Sequence, residues 1–190
     1  EQELINQTLT TVGWRTVPTN PDVLGEIAKA SLPVIEQLII NARPGWSTID
    51  LERRLYIARR KIEKRLADDG DFYACSMSGQ VTIYKGLVRP ADLPKFYLDL
   101  ADIRMQTAIC VFHQRFSTNT SPLWPLAQPF RYLAHNGEIN TIKGNRQWAK
   151  ARERKFRSPL LPDLPEAAPF VSSSGSDSAS LDNMLELLLA

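Results

Sequence analysis

Two clusters of hydrogen-bonding residues lie in the middle of this chain, and each directly follows a short apolar stretch. The first runs from His113 to Thr120, and the second runs from Arg131 to Asn140. Because the apolar stretches have the composition of strands, both clusters are expected at the same end of a sheet. Polar groups gathered on loops beside a rigid sheet are typical of a small-molecule site.

The dipeptide Asn136-Gly137 in the second cluster has two interpretations. Asn-Gly is the strongest short signal for a tight hairpin turn, and the residues alone favour that interpretation. The alternative is an oxyanion hole, in which Gly137 turns its own amide toward a ligand and the Asn136 side-chain amide donates beside it. Two such donors stabilise the negative oxygen of a tetrahedral intermediate, and losing one typically costs roughly 3 to 4 kcal/mol of barrier.

Two charged residues could bind the charged ends of a substrate. Arg115 follows a predicted buried strand, and a guanidinium there can hold a carboxylate by two parallel hydrogen bonds. A surface ion pair is the plainer role for this residue. Asp177 lies just before an apolar helical pattern, where an aspartate is commonly a helix cap. It could instead accept a hydrogen bond from a substrate ammonium.

Other kinds of site receive less support. His113 and His135 have no carboxylate or cysteine at metal-ligand spacing, and the isolated glycines form no phosphate loop. Cys75 and Cys110 lie in apolar segments, where small buried thiols are common, so a disulfide framework is not expected. Basic residues crowd a predicted helix from Arg53 to Arg65, but the neighbouring acids indicate a solvated face rather than a nucleic-acid surface.

Local patterns predict the elements that position these residues. A helix kinked near Ser31 is expected within Pro21 to Ala42, and Ser47 caps a second helix that carries Asp50 three residues later. Strands are expected as a hairpin over 71–78 and 80–85, over 107–112, and over 130–134. Further helices are expected near 96–100, from about 142 to 156, and after the polar turn 172–178. These elements together indicate an α+β protein.

Composition excludes several classes of protein. The chain has 190 residues, 43% of them hydrophobic, and a net charge of +2. This is enough for one domain over residues 1–190, and the charge is too small to imply a nucleic-acid or membrane partner. With no long apolar span and two cysteines, a soluble, cytoplasmic protein is expected. The first and last residues have the character of element interiors, so a piece of something longer is expected.

Several motifs occur together in the order of one family. They are 115–120, 126–130, 135–142, 144–145 and 175–183. On these motifs the chain closely resembles the glutamine amidotransferase domain of the large subunit of bacterial glutamate synthase. The resemblance covers nearly the whole chain. It implies a fold similar to N-terminal-nucleophile hydrolases, a four-layer αββα sandwich with antiparallel sheets.

The resemblance also implies a function for individual residues. Arg115 would hold the α-carboxylate of L-glutamine, with Thr118 nearby, and Asp177 would accept from its α-ammonium. Asn136 and Gly137 would form the oxyanion hole. In the family, a cysteine attacks the side-chain amide of glutamine, and the ammonia released passes through the protein to react with 2-oxoglutarate and form glutamate.

One feature departs from the family's pattern. The family's nucleophile is the first residue of the mature chain, because its free α-amino group, with an unperturbed pKa near 8, is the base that activates the thiol. Residue 1 here is Glu1, and Cys75 and Cys110 match no nucleophile position. The cysteine and first strands are therefore expected ahead of Glu1, and the isolated chain is expected to be inactive.

The resemblance places no cofactor or metal in this domain. FMN, an iron–sulfur cluster and an NADPH-oxidising small subunit would belong to the parent enzyme outside this chain. Three alternatives remain at this point. They are another class II amidotransferase, such as one making glucosamine phosphate, phosphoribosylamine or asparagine; a non-catalytic glutamine-binding module; and nucleic-acid binding through the basic helix.

Overall fold

The structure, a computed structural model, describes residues 1–116, 120–135 and 137–190. Its one sheet among these residues has two antiparallel strands, β1 (Thr10–Thr16) and β2 (Glu36–Asn41). A bulge interrupts the register between Thr11 and Gly13. The sheet stands beside several helices, so the α+β expectation is confirmed in this coarse form.

Six α-helices surround this sheet in the described part of the chain. They are α1 (Gln2–Asn6), α2 (Glu26–Ala30), α3 (Thr48–Arg65), α4 (Leu93–Phe96), α5 (Ile142–Arg152) and α6 (Asp177–Leu189). Short 3-10 turns occupy Pro21–Val23, Pro90–Asp92, Leu98–Ala101, Trp124–Leu126, Glu153–Lys155 and Leu164–Ala167. The helices that matter most for the site are α3 and α6.

Helix α3 begins as its sequence predicts. The Ser47 hydroxyl accepts from the Asp50 amide at 3.2 Å, and the Asp50 carboxylate accepts from the Ser47 amide at 3.3 Å. This reciprocal capping box satisfies amides that the first helical turn leaves without partners. The helix then ends at Arg65, three residues before the expected Asp68.

One apolar cluster joins α3 to α6 and lies beside the polar residues of the site. Its buried members are Tyr56, Ile57, Leu161, Leu164, Ala167, Phe170 and Leu187. Two other clusters pack elsewhere in the chain. One contains Val17, Leu24, Ala28, Phe96, Tyr97 and Trp124, and the other contains Leu4, Leu9, Leu55 and Ala58. Apolar packing therefore fixes the separation of the two helices that carry the site.

The strands expected after residue 70 are wrong for this structure. Residues 71–85, 107–112 and 130–134 have no strand pairing. In the first segment, the Glu52 carboxylate on α3 accepts from Gly79 and Ser78. The turn of the expected hairpin is thus held by a helix instead of a partner strand. In the second, Ile109 is 79% exposed, and the expected burial is absent. In the third, the backbone amides donate to a side-chain carboxylate instead of a ladder.

The expected kinked helix over Pro21 to Ala42 is correct only in its first half. Helix α2 ends at Ala30, and β2 takes the residues after Pro33. Proline removes a helix hydrogen bond, and the apolar run Leu38-Ile39-Ile40 has residues that suit a pleated strand. Pairing with β1 therefore outweighs the helical spacing of these residues.

A buried ion cluster lies between α3, α6 and the segment that follows Phe130. It contains the cations Arg59, Arg60 and Arg131 and the carboxylates Glu63 and Glu186. Burial acts to raise the pKa of Glu63, but the three guanidiniums around it outweigh burial and lower this pKa. The charged form of Glu63 is thus favoured in the folded chain.

We expect Glu63→Gln to destabilise the chain at neutral pH by about 3 kcal/mol, because the guanidiniums lose a buried counter-charge. Since the folded pKa of Glu63 is lowered, its stabilisation is present above the ordinary carboxyl pKa of about 4.5 and is lost as pH falls through the folded value. The difference between the two chains in free energy of unfolding, measured by urea titration at pH 7 and pH 3, should therefore shrink in acid. The exposed Glu36→Gln is the control, and an equal difference at both pH values contradicts the assignment.

Candidate functional site

The start of α6 places Asp177 at the first helical position. The Ser176 hydroxyl accepts from the Ala179 amide at 3.0 Å, so Ser176 is the helix cap. Ser176, and not Asp177, therefore has the capping role that was the plainer interpretation of Asp177. Asp177 is buried, and its carboxylate is directed to a different segment of the chain.

The Asp177 carboxylate accepts three hydrogen bonds. Oδ2 accepts from the Ile139 amide at 2.6 Å, and Oδ1 accepts from the amide and hydroxyl of Ser178 at 2.6 and 3.2 Å. Burial acts to raise the pKa of Asp177, but these hydrogen bonds outweigh it and hold the pKa below its usual range. The residue is therefore a carboxylate at neutral pH.

The described residues His135 and Gly137 to Ile139, which we call the 135–139 turn, are held at both ends. At the first end, the Gln128 side chain accepts from the His135 amide at 2.8 Å and donates to the His135 carbonyl at 2.9 Å. Nδ1 of His135 lies 2.8 Å from the Ser178 hydroxyl. At the second end, the Ile139 amide is bound to Asp177. The turn is thus attached to the start of α6 twice.

Gly137 within this turn lies directly against the His135 ring. A Cβ built on Gly137 would lie 2.7 Å from Nε2 of His135, which is closer than non-bonded atoms approach. Only glycine fits here without displacing the ring. The close approach of the imidazole is a structural reason for glycine at this position that the sequence interpretations did not include.

A second carboxylate of α6 holds the residues that lead into the turn. Asp182 is 1% exposed and accepts from three consecutive amides, those of Arg131, Tyr132 and Leu133, at 3.1, 2.8 and 2.9 Å. Consecutive amides around one anion form a concave binding arrangement. Sequence reasoning missed Asp182, although it lies inside the 175–183 motif.

Arg146 on α5 holds the serine-rich segment before α6. Its guanidinium donates to the Ser180 hydroxyl at 2.9 Å and to the Gly175 carbonyl at 2.9 Å, with longer contacts to the carbonyls on either side. Gly175 has a φ of +82°, a conformation that favours glycine. Sequence reasoning missed Arg146 too, since nothing local links it to a segment nearly thirty residues away.

The structure brings some of the predicted site residues together. Asp177 binds the Ile139 amide, two residues after Gly137, while Arg115 is exposed and forms no hydrogen bond or ion pair with another described residue. Thr118 and Asn136 lie outside the described residues. A substrate-holding role for Arg115 and Thr118 therefore stays a prediction.

The histidines and cysteines have identifiable surroundings. Nε2 of His113 is buried without a hydrogen-bond partner among the described residues, whereas His135 contacts Ser178. Both cysteines are free. Burial raises the pKa of the Cys75 thiol, and two nearby cations offset this only in part. In residues 1–116, 120–135 and 137–190, no cluster of His, Cys, Asp and Glu could hold a metal ion.

The basic residues of α3 are engaged by partners within the chain. Five of them form ion pairs: Arg53 with Asp50, Arg59 with Glu63 and Glu186, Arg60 with Glu63, Lys61 with Glu166, and Arg65 with Glu3. The other two, Arg54 and Lys64, donate to Gln7 and to the Glu166 carbonyl. These pairings favour the interpretation as an ion-paired face over a nucleic-acid surface.

The chain belongs to the class-II glutamine amidotransferases, whose family model matches residues 1–190. It is 47% identical over 180 residues to the NADPH glutamate synthase large chain of Azospirillum brasilense, covering 93% of this chain and 12% of that protein. It is 49% identical over 183 residues to ferredoxin-dependent glutamate synthase 2 of Synechocystis, covering 95% of this chain and 12% of that protein.

A third relative, the NADPH glutamate synthase large chain of Bacillus subtilis, is 43% identical over 181 residues, which are 94% of this chain and 12% of that protein. The chain thus spans about an eighth of the length of these curated relatives. No helix of the described residues is long and apolar enough to cross a membrane.

We expect Asp182→Ala to destabilise the chain by about 3 kcal/mol, because three amides lose a charged acceptor in a buried place. The amides of Tyr132 and Leu133 should lose most of their protection from hydrogen exchange, which mass spectrometry of peptides over 130–135 measures. The exposed Asp22→Ala, which removes only a surface pair with Lys29, should leave this protection unchanged. Unaltered exchange in Asp182→Ala would contradict the assigned role.

Proposed function

We propose that this chain is the glutamine-binding portion of a glutamine-hydrolysing domain in a glutamate synthase. The domain would convert L-glutamine to glutamate and ammonia, and the ammonia would pass to a second site that forms glutamate from 2-oxoglutarate. The observation that carries the proposal is the hydrogen bond from the Ile139 amide to Asp177, two residues after Gly137, in a chain that belongs to the class-II amidotransferases. Similarity to glutamate synthases over 93% of the chain or more supports the same proposal.

The proposed contacts follow the two charged ends and the reacting amide of glutamine. Asp177 accepts from the α-ammonium and Arg115 binds the α-carboxylate, with Thr118 beside it. The Gly137 amide and the Asn136 side chain donate to the oxygen that becomes negative in the tetrahedral intermediate. The lowered pKa of Asp177 supports its part, because an ionised carboxylate is what an ammonium requires.

The attacking thiol is proposed to come from a cysteine outside this chain. The thiolate, not the thiol, is the nucleophile, and catalytic cysteines have lowered pKa values. The pKa of Cys75 is raised, and the thiol donates weakly to the Ile83 carbonyl at 3.8 Å. Cys110 is exposed on a segment with no base positioned by the described residues. Neither thiol has the surroundings of a nucleophile, so the chain alone is proposed to be inactive.

Finer features of the parent protein are also proposals. The four-layer αββα sandwich would be completed by strands from outside this chain, which would pair with the exposed apolar segment 107–112. FMN and an iron–sulfur cluster are proposed to lie elsewhere in the parent protein. For the cluster, the two cysteines here fall short of the four thiolates that such clusters use. The NADPH-linked small subunit stays a prediction, because the chain is about equally similar to NADPH and ferredoxin-dependent relatives. A cytoplasmic location also stays a prediction.

We expect ammonia release from L-glutamine by a longer protein that adds the predicted N-terminal cysteine segment, and none by the 190-residue chain. An assay of both proteins at equal concentration checks this. Hydrolysis by the short chain that disappears in Cys75→Ser or Cys110→Ser would contradict the proposed external nucleophile. Hydrolysis by neither protein would contradict the proposed function.

In the active longer protein, we expect Arg115→Ala and Asp177→Ala each to lower kcat/KM for glutamine about a hundredfold, because each removes a charge-assisted contact with substrate. Arg104→Ala and Asp22→Ala are matched controls, since both residues form exposed surface pairs. Steady-state kinetics measure the effect. An Asp177→Ala protein with unchanged kcat/KM would refute the site assignment.

A further inference from the structure

We propose that Ser178 and His135 are positioning residues that couple the ammonium acceptor Asp177 to the oxyanion-stabilising turn at Gly137. The proposal rests on the proposed function, because it takes Asp177 to be the group that receives the substrate α-ammonium. It adds that the ammonium contributes to turnover through this link, and not to binding alone.

The hydrogen-bonding capacity of Asp177 leaves room for a ligand. A carboxylate offers about two acceptor positions on each oxygen. Both positions of Oδ1 are occupied by the Ser178 amide and hydroxyl, while Oδ2 accepts, among the described residues, only from the Ile139 amide. The remaining position is therefore on Oδ2. An ammonium bound there shares its oxygen with the amide that ends the 135–139 turn.

The single proton of the Ser178 hydroxyl fixes the direction of the next hydrogen bond. This hydroxyl is fully buried and lies 3.2 Å from Oδ1 of Asp177 and 2.8 Å from Nδ1 of His135. Because the ionised carboxylate can only accept, the proton points to Asp177. The hydroxyl oxygen then accepts from Nδ1–H of His135, so this nitrogen is the donor of the pair.

The other edge of the His135 ring supports the turn. With Nδ1 bound to Ser178, Nε2 faces Gly137, where a Cβ would lie 2.7 Å away. The ring therefore restricts where the Gly137 Cα can lie. Gln128 prevents the His135 backbone from moving independently through its two hydrogen bonds.

These contacts make the ammonium acceptor and the turn one unit. Asp177 holds Ile139 directly and holds His135 through Ser178, so Gly137 lies between two points fixed to the same carboxylate. A substrate whose ammonium docks on Asp177 thereby has its reacting amide placed at a set distance from the Gly137 amide. Binding energy from a remote group is then used for orientation in the transition state.

Kinetics of the full-length protein that contains this chain test the link with two substrates. One is L-glutamine, and the other is glutaramate, which has hydrogen in place of the α-amino group. We expect Ser178→Ala to lower kcat for glutamine about tenfold, the effect of roughly one lost hydrogen bond. The kcat for glutaramate should fall less than the kcat for glutamine, because a substrate that is not anchored on Asp177 can follow Gly137 when the link is lost. The ratio of the two KM values should stay constant.

Two variants separate this coupling from a loss of structure. Ser178→Thr keeps the hydroxyl and should retain the wild-type kcat ratio. Ser180→Ala removes another buried hydroxyl of α6, one bound to Arg146 and not to the turn, and should leave the ratio unchanged. If Ser178→Ala does not fold, His135→Asn applies the same test, because its amide keeps a donor to Ser178 but lacks the edge that contacts Gly137.

An equal fall in kcat for both substrates, in Ser178→Ala or in His135→Asn, would overturn the proposed coupling. It would not contradict the proposed function, which is glutamine hydrolysis. A change confined to KM would do the same, because the link would then serve binding only. A wild-type protein that hydrolyses neither substrate would instead overturn the proposed function, and the coupling with it.

Discussion

Three buried carboxylates of α6 hold together the polar half of this structure. Asp177 binds the end of the 135–139 turn, Asp182 binds the amides that lead into it, and Glu186 binds guanidiniums from α3 and from Arg131. A buried carboxylate without partners costs several kcal/mol, so each must be matched in direction as well as in number. The path of the chain from 131 to 139 is therefore determined by α6 and not by a β-ladder.

The two glutamates of the ion cluster respond to burial differently, and their partners explain why. Burial raises the pKa of Glu186, and its two guanidiniums offset this incompletely while Asp182 adds repulsion. Glu63 has three guanidiniums and more contact with solvent, so its pKa is lowered. The cluster thus contributes geometric specificity more than net stability, because Arg59 and Arg131 each pair with both glutamates and so connect α3, α6 and the segment after Phe130.

Sequence patterns predicted the elements whose signals are local. The capping box at Ser47 and the apolar spacing after Ser176 identify α3 and α6. The strand predictions failed because a β-branched run shows only that a segment suits a sheet, and segment 107–112 has no partner strand among the described residues. For the site, the family motifs identified Asp177 and Gly137. Asp182 and Arg146 act across long sequence separations, which periodicity and spacing do not encode. Gln128 binds His135, seven residues away, but no local pattern indicates that contact.

The division of labour within the proposed site follows from these constraints. An oxyanion hole stabilises a transition state to the extent that its donors are already oriented, since reorientation during the reaction would cost the energy they supply. In this chain α6 and the Gln128 side chain hold His135 and Ile139, which lie on either side of the proposed donors. A nucleophile supplied from outside would then meet a half-site whose geometry is independent of it. Activity would depend on bringing the thiol to the turn, and the turn itself would need no rearrangement.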